Sequence, residues 1–159
     1  MSSSFFRIVL TALFSLSCAA SIASVADVVP AYDESADAQL QLNSALGQAK
    51  ISKKKVLLIF GANWCKDCLE LDKSIKAHNA ALIQSQFVLL KIDVGQFDKN
   101  LAIAQAYGNP IKKGIPAAVV LRADNTLLYA TKVGELSNAR RMGDQGIADF
   151  FQQVISEHP

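Results

Sequence analysis

Five consecutive apolar residues, Val56-Leu57-Leu58-Ile59-Phe60, run into Gly61, and Trp64-Cys65-Lys66-Asp67-Cys68 follows almost at once. A short unbroken apolar run is the pattern of a strand buried on both faces, and Gly61 is where it can stop. Two residues between the sulfurs put Cys65 and Cys68 at i and i+3 on one face of a following helix, about 5–6 Å apart at Cβ. Only a small adjustment separates that spacing from disulfide geometry. The pair can close and reopen without refolding the chain, so the spacing reads as redox chemistry and not only as a staple.

The N-terminus reads as an address. Arg7 is the only charge before Asp27, and the apolar stretch Ile8 to Phe14 passes into small residues ending at Ser24-Val25-Ala26. That is the pattern of a secretory signal peptide over residues 1–26, cleaved after Ala26 or alternatively after Ala23. An uncleaved membrane anchor is the rival, but the Ser-rich second half is a poor hydrocarbon segment. A lipid on Cys18 would require a Leu three residues earlier, where Ser15 stands. Cleavage removes Cys18 and leaves two cysteines.

The expected location is therefore the periplasm, an oxidising compartment in which an isolated cysteine pair closes unless something reduces it. Residues 27–159 are enough for one domain with a hydrophobic core. A disulfide closing so short a loop barely constrains the unfolded chain, which argues against a purely stabilising role. The formal charge of +2 includes Arg7. The near-neutral remainder favours neither nucleic acid nor an anionic membrane surface as a partner.

Residues 27–37 are polar and Ala-rich around Pro30 and read as a flexible lead-in to a domain over 38–159. Leu40, Leu42, Ala45, Leu46 and Ala49 mark a first helix. The helix opening at the cysteines carries Leu69, Leu71 and Ile75 and breaks near His78-Asn79, where Asn79 can cap a short following turn. Phe87 to Val94 is nearly continuous apolar sequence, as for a strand covered on both faces. Asp98 can cap a helix over 99–107 that Gly108 ends. Ala117–Leu121 and Leu127–Ala130 flank Asp124-Asn125 as a hairpin. A polar stretch with Arg140 and Arg141 precedes a final helix near 144–156, with Ile147, Phe150, Phe151, Val154 and Ile155 on one face. This order predicts an α/β fold with a mixed central sheet and helices on both faces.

Taken together, the strand, Trp64-Cys65-x-x-Cys68, the helix, Gly114-Ile115-Pro116 before the hairpin and the closing helix resemble the thioredoxin superfamily. The phrase Gly61-Ala62-Asn63-Trp64-Cys65 and the export signal are most similar to periplasmic thioredoxin-like proteins, including the C-terminal domain of DsbD. The resemblance covers roughly residues 38–157.

It implies a thiol–disulfide oxidoreductase without a bound cofactor, working as a monomer on protein thiols or disulfides, in the reducing direction. A membrane electron donor of the DsbD type is the partner it implies. Cys65 would be the attacking sulfur, because a helix N-terminus stabilises a thiolate, and Cys68 the resolving one. Lys66 should lower the Cys65 pKa and Asp67 should raise it, leaving no clear net direction. Pro116 would be the cis proline beside the dithiol, Ile115 would offer backbone groups to an added substrate strand, and Trp64 would wall the site or serve as ordinary packing.

Two departures from the family pattern stand out. Thioredoxins bury an Asp six residues before the first cysteine; here that place is Ile59, and the Lys expected beside it aligns with Leu89. The usual proton acceptor for Cys68 is thereby in doubt, and Asp67, Glu70 and Asp72 read as exposed helix charges. Residues 109–113 and 134–143 look like insertions able to shape a partner surface.

Other chemistries fit less well. A zinc site needs about four ligands, and Cys65, Cys68, His78 and His158 are scattered, so no metal site is expected. A copper(I)-binding or copper-delivery protein is the alternative, since thiolates suit that ion, but Met142 is the only methionine left after cleavage and nothing in the sequence links it to the dithiol.

Overall fold

The structure, a computed structural model, describes residues 29–159. The signal segment with its cleavage sites, Cys18 and the first residues of the lead-in lie outside the described residues.

The chain enters through helix α1 (Ala38–Ser52). Asp37 caps it by accepting the Leu40 N–H at 2.9 Å, and Lys53, left-handed at φ 55°, ends it. Ala38, Leu42, Ala45 and Ala49 form its buried face, whereas Leu40 is exposed. Strand β1 (Lys55–Gly61) follows, then α2 (Lys66–Lys76), α3 (Ala80–Gln86) and strand β2 (Phe87–Asp93). After α4 (Leu101–Ala106) and a 3₁₀ turn at Pro110–Lys113 come β3 (Ala117–Leu121), β4 (Leu127–Ala130) and α5 (Ala139–Glu157).

The sheet order is β2-β1-β3-β4. β1 runs parallel to β2 and antiparallel to β3, which pairs antiparallel with β4, so the sheet is mixed. Successive strand residues face opposite sides. β1 from Val56 onward and all of β3 are buried, so the centre of the sheet is covered on both faces. The helices α2, α3 and α5 pack on one another, and α1 packs on β1 and β2.

Several local expectations are corrected. β2 is an edge strand and Val88 to Lys91 are only partly buried; an apolar run does not by itself tell an edge from a centre. Asn79 sits at the start of α3 without capping it. Its side-chain amide instead donates to Ser74 Oγ and to the Asp144 carbonyl of α5. Asp98 accepts the Gln96 N–H, and α4 starts later than expected, after a left-handed Asn100. Gly108, at φ 81°, does follow the end of α4. The last helix begins one turn early, at Ala139, because Gly143 (φ 64°) joins a short N-terminal turn to the body of the helix.

The flexible lead-in is also corrected from Ala31 onward. Tyr32 is fully buried. Its N–H donates to Asn63 Oδ1 and its carbonyl accepts from Asn63 Nδ2, both at 2.9 Å. Burial raises the pKa of the Tyr32 hydroxyl, and the nearby Asp72 and Asp93 push it further. The lead-in is thus fastened to the turn that carries the cysteines.

Candidate active site: a dithiol at a helix N-terminus

β1 ends at Gly61, where a Cβ would collide with the Tyr32 hydroxyl, so only glycine fits. The chain then turns through Ala62–Trp64, and Cys65 becomes the N-cap of α2 with extended backbone (φ −81°, ψ 107°). Its sulfur accepts the Cys68 N–H at 3.2 Å, the contact by which a free helix-terminal N–H can stabilise a thiolate. Cys65 and Cys68 are joined as a disulfide with their Cα atoms 5.2 Å apart. The two cysteines differ in exposure: Cys65 is 7% exposed and Cys68 is fully buried.

The other expected site residues gather around Cys65. The Ile115–Pro116 peptide is cis, and the Ile115 carbonyl lies 3.6 Å from the Cys65 sulfur, where it can accept from a thiol in the reduced protein. Trp64 is 49% exposed, with its indole N–H held by the Gly95 carbonyl at 2.8 Å. That is a surface position and not core packing.

Sequence reasoning missed several neighbours. Phe97, exposed and left-handed at φ 63°, places its ring 6.1 Å from that of Trp64. Bulky residues rarely adopt such a φ, and no sequence signal marks it. Arg140 closes on Asp67 from the short first turn of α5: its backbone N–H reaches Asp67 Oδ1 at 3.0 Å and its guanidinium reaches Oδ2 at 3.1 Å. The Arg140 side-chain bond holds the Asp67 carboxyl below the ordinary carboxylate value; burial opposes it, and the Arg140 backbone N–H and the charges of Arg140 and Arg141 add to the lowering. Only the polarity of the 134–143 insertion hinted at this.

The alignment of the missing acid is corrected in one respect. Ile59 is buried, as its apolar character implies, but the residue beside it on β2 is Lys91; Leu89 pairs with Leu57. Lys91 donates to Asp72 Oδ1 at 2.6 Å, and Lys76 holds Asp72 Oδ2 at 2.7 Å. Asp72 is therefore a buried, paired carboxylate and not an exposed helix charge. It lies one helical turn beyond Cys68, on the same face of α2. Glu70 does remain a surface charge, 3.9 Å from Lys73.

The histidines take other partners: His78 pairs with Asp144 at 2.9 Å and His158 lies against Tyr129. Among the described residues, no group of three or more His, Cys, Asp or Glu side chains gathers as a metal site.

The chain is similar to known proteins. A thioredoxin of Buchnera aphidicola subsp. Baizongia pistaciae is 36% identical over 89 residues, which is 56% of this chain and 73% of that protein. The crystal structure of a disulphide isomerase from Xylella fastidiosa Temecula1 superposes with a TM-score of 0.78 and 53% identity, covering 80% of this chain and 98% of that one. The oxidised C-terminal domain of DsbD from Neisseria meningitidis is a remote likeness, with a TM-score of 0.45 and 23% identity over 74% of this chain and 96% of that one. Residues 37–123 match the thioredoxin-like family. With the mixed sheet, the dithiol at a helix N-terminus and the cis proline beside it, this chain belongs to the thioredoxin-like family.

Proposed function

We propose that the protein is an exported thiol–disulfide oxidoreductase that reduces disulfides in other proteins. The observation that carries the reading is the unequal exposure of the two cysteines, Cys65 slightly exposed and Cys68 fully buried, in a disulfide at a helix N-terminus.

In the reduced protein the Cys65 thiolate attacks one sulfur of a substrate disulfide. The S–S bond breaks, one substrate sulfur leaves as a thiolate, and a mixed disulfide forms. Cys68 loses its proton and attacks the Cys65 sulfur, closing the Cys65–Cys68 bond and releasing the second substrate thiolate. Two electrons pass from the dithiol to the substrate, so each turnover needs an external dithiol, for which a membrane donor of the DsbD type is the proposed source. Trp64 walls the site, and the Ile115 backbone before Pro116 pairs with the substrate chain. The likeness to a protein described as a disulphide isomerase supports exchange chemistry, and both isomerisation and reduction start from the reduced pair.

The test is reduction of insulin disulfides with dithiothreitol as electron source. Wild type should accelerate it and Cys65→Ser should not; an equally active Cys65→Ser would overturn the reading. Export is part of the proposal. The periplasmic protein should begin at Asp27 or Ser24 by mass spectrometry, and a mass retaining residues 1–23 would show an anchored protein instead.

A further inference from the structure

We infer that Arg140 is a positioning residue for Cys65: by clasping Asp67 it cancels the carboxylate built into the dithiol's own turn and so keeps Cys65 available as a thiolate. This rests on the reading of Cys65 as the attacking sulfur.

Asp67 follows Cys65 by two residues, in the first turn of α2. A carboxylate there suits the helix macrodipole but opposes a second negative charge on Cys65. Left free, it would work against the helix N-terminus that favours the thiolate. It is not free. The two bonds from Arg140 engage both of its oxygens, and only 17% of the side chain is exposed.

The arginine is delivered by a braced segment. Leu136 and Ala139 are fully buried. The Glu135 carboxylate accepts the N–H groups of Lys132 and Val133. Gly134, at φ 80°, comes so close to the turn before the cis proline that a Cβ would sit 2.7 Å from the Lys113 carbonyl oxygen, and Ser137 packs on Gly114. Residues 132–140 therefore form a strap from the proline turn to the dithiol helix, with Arg140 at its far end. An isolated surface ion pair stabilises little; a strap braced at both ends fixes where the positive charge sits.

The carboxylate of Asp72, one turn beyond Cys68, is already held by Lys91 and Lys76, and other charges flank Cys65. Lys66 and Asp67 follow it on α2, Arg140 and the exposed Arg141 stand on the strap side, and Lys112 and Lys113 precede the proline turn, which itself presents the uncharged Ile115 carbonyl. Glu34 is bonded to Asn63 on the turn before Cys65; Asp67 is the acid in the first turn of Cys65's own helix, so its neutralisation has a definite sign. Without Arg140 the thiolate loses stability, the thiol binds its proton more tightly, and the attacking step slows near neutral pH.

The experiment follows iodoacetamide labelling of Cys65 across pH in the reduced protein. Arg140→Gln should move the labelling profile to higher pH, with labelling at neutral pH slower by about threefold to tenfold. Arg140→Lys should recover most of the rate. In an Asp67→Asn background Arg140→Gln should have no such effect, which a merely structural role for Arg140 would not produce. An unmoved profile in Arg140→Gln, or an equal shift with and without Asp67, overturns the inference. Should Arg140→Gln fail to fold, Arg140→Met, which keeps the aliphatic stem and removes the charge, takes its place and is read by the same outcomes with and without Asp67→Asn. Labelling needs no substrate, so a wild type unable to reduce insulin disulfides would overturn the proposed function and leave this result standing by itself.

Discussion

Lys91 lies beside Ile59 across the β1–β2 ladder and reaches Asp72 on α2. The space behind the dithiol thus keeps a lysine and a carboxylate, with the carboxylate on the helix and an isoleucine on the strand. A buried acid must be paired to offset its desolvation, and Asp72 has Lys91 and Lys76 for that purpose.

Ile59→Asp should destabilise the fold by about 2–4 kcal/mol, combining lost apolar burial with a new buried polar group. Lys91 is the cation within reach, and Asp72 competes for it. The cost should therefore fall when Asp72→Asn frees Lys91, and Leu89→Lys should rescue nothing because Leu89 pairs with Leu57. Urea unfolding of the four proteins of the Ile59/Asp72 cycle measures the coupling. Coupling to residue 89 instead of 72 would contradict this register.

Tyr32 and Gly61 give a second prediction. Gly61→Ala should cost about 1–3 kcal/mol by overpacking, since the new methyl meets the Tyr32 ring and hydroxyl. The Tyr32 hydroxyl is buried and has no hydrogen-bond partner among the described residues. Tyr32→Phe should then be neutral or stabilising and should relieve part of the Gly61→Ala loss. A large loss of stability in Tyr32→Phe would show that the hydroxyl has a partner essential to the fold.

Legibility in the sequence followed range. The dithiol, β1, the hairpin around Asp124-Asn125 and the body of α5 rest on patterns within a dozen residues, and those local signals are strong. The clasp of Asp67 by Arg140 and the fastening of Tyr32 to Asn63 join residues 73 and 31 positions apart. Nothing in either short stretch announces its partner. The apolar run of β2 hid its register in the same way, because Leu89 and Lys91 differ by one pleat repeat and point to the same side. The sequence pattern also left Leu40 on an apolar helix face, whereas small alanines do the packing there and Leu40 is exposed.

The Asp67 clasp makes stability pH-dependent in a stated direction. The folded carboxyl is held below its ordinary value of 3.8, chiefly by the Arg140 side-chain bond. A depressed acid contributes stability that is present above the unfolded value and lost as pH falls through the folded one. Wild type should therefore be more stable than Asp67→Asn at neutral pH, and the difference should shrink as the solution is acidified below the ordinary carboxylate range. Urea midpoints of the two oxidised proteins measured against pH give the comparison. A difference that stays flat into strong acid would mean that the clasp contributes nothing through charge.

The division of labour between the two sulfurs is tested most directly by trapping. Each single variant is incubated with disulfide-bonded protein substrate, and the mixed disulfide is quantified on non-reducing gels and by mass spectrometry. Cys68→Ser should accumulate a mixed disulfide through Cys65, because the resolving sulfur is gone. Cys65→Ser should accumulate little, because Cys68 is fully buried. Equal trapping by the two variants, or trapping by Cys65→Ser alone, would contradict the assignment of Cys65 as the attacking thiol.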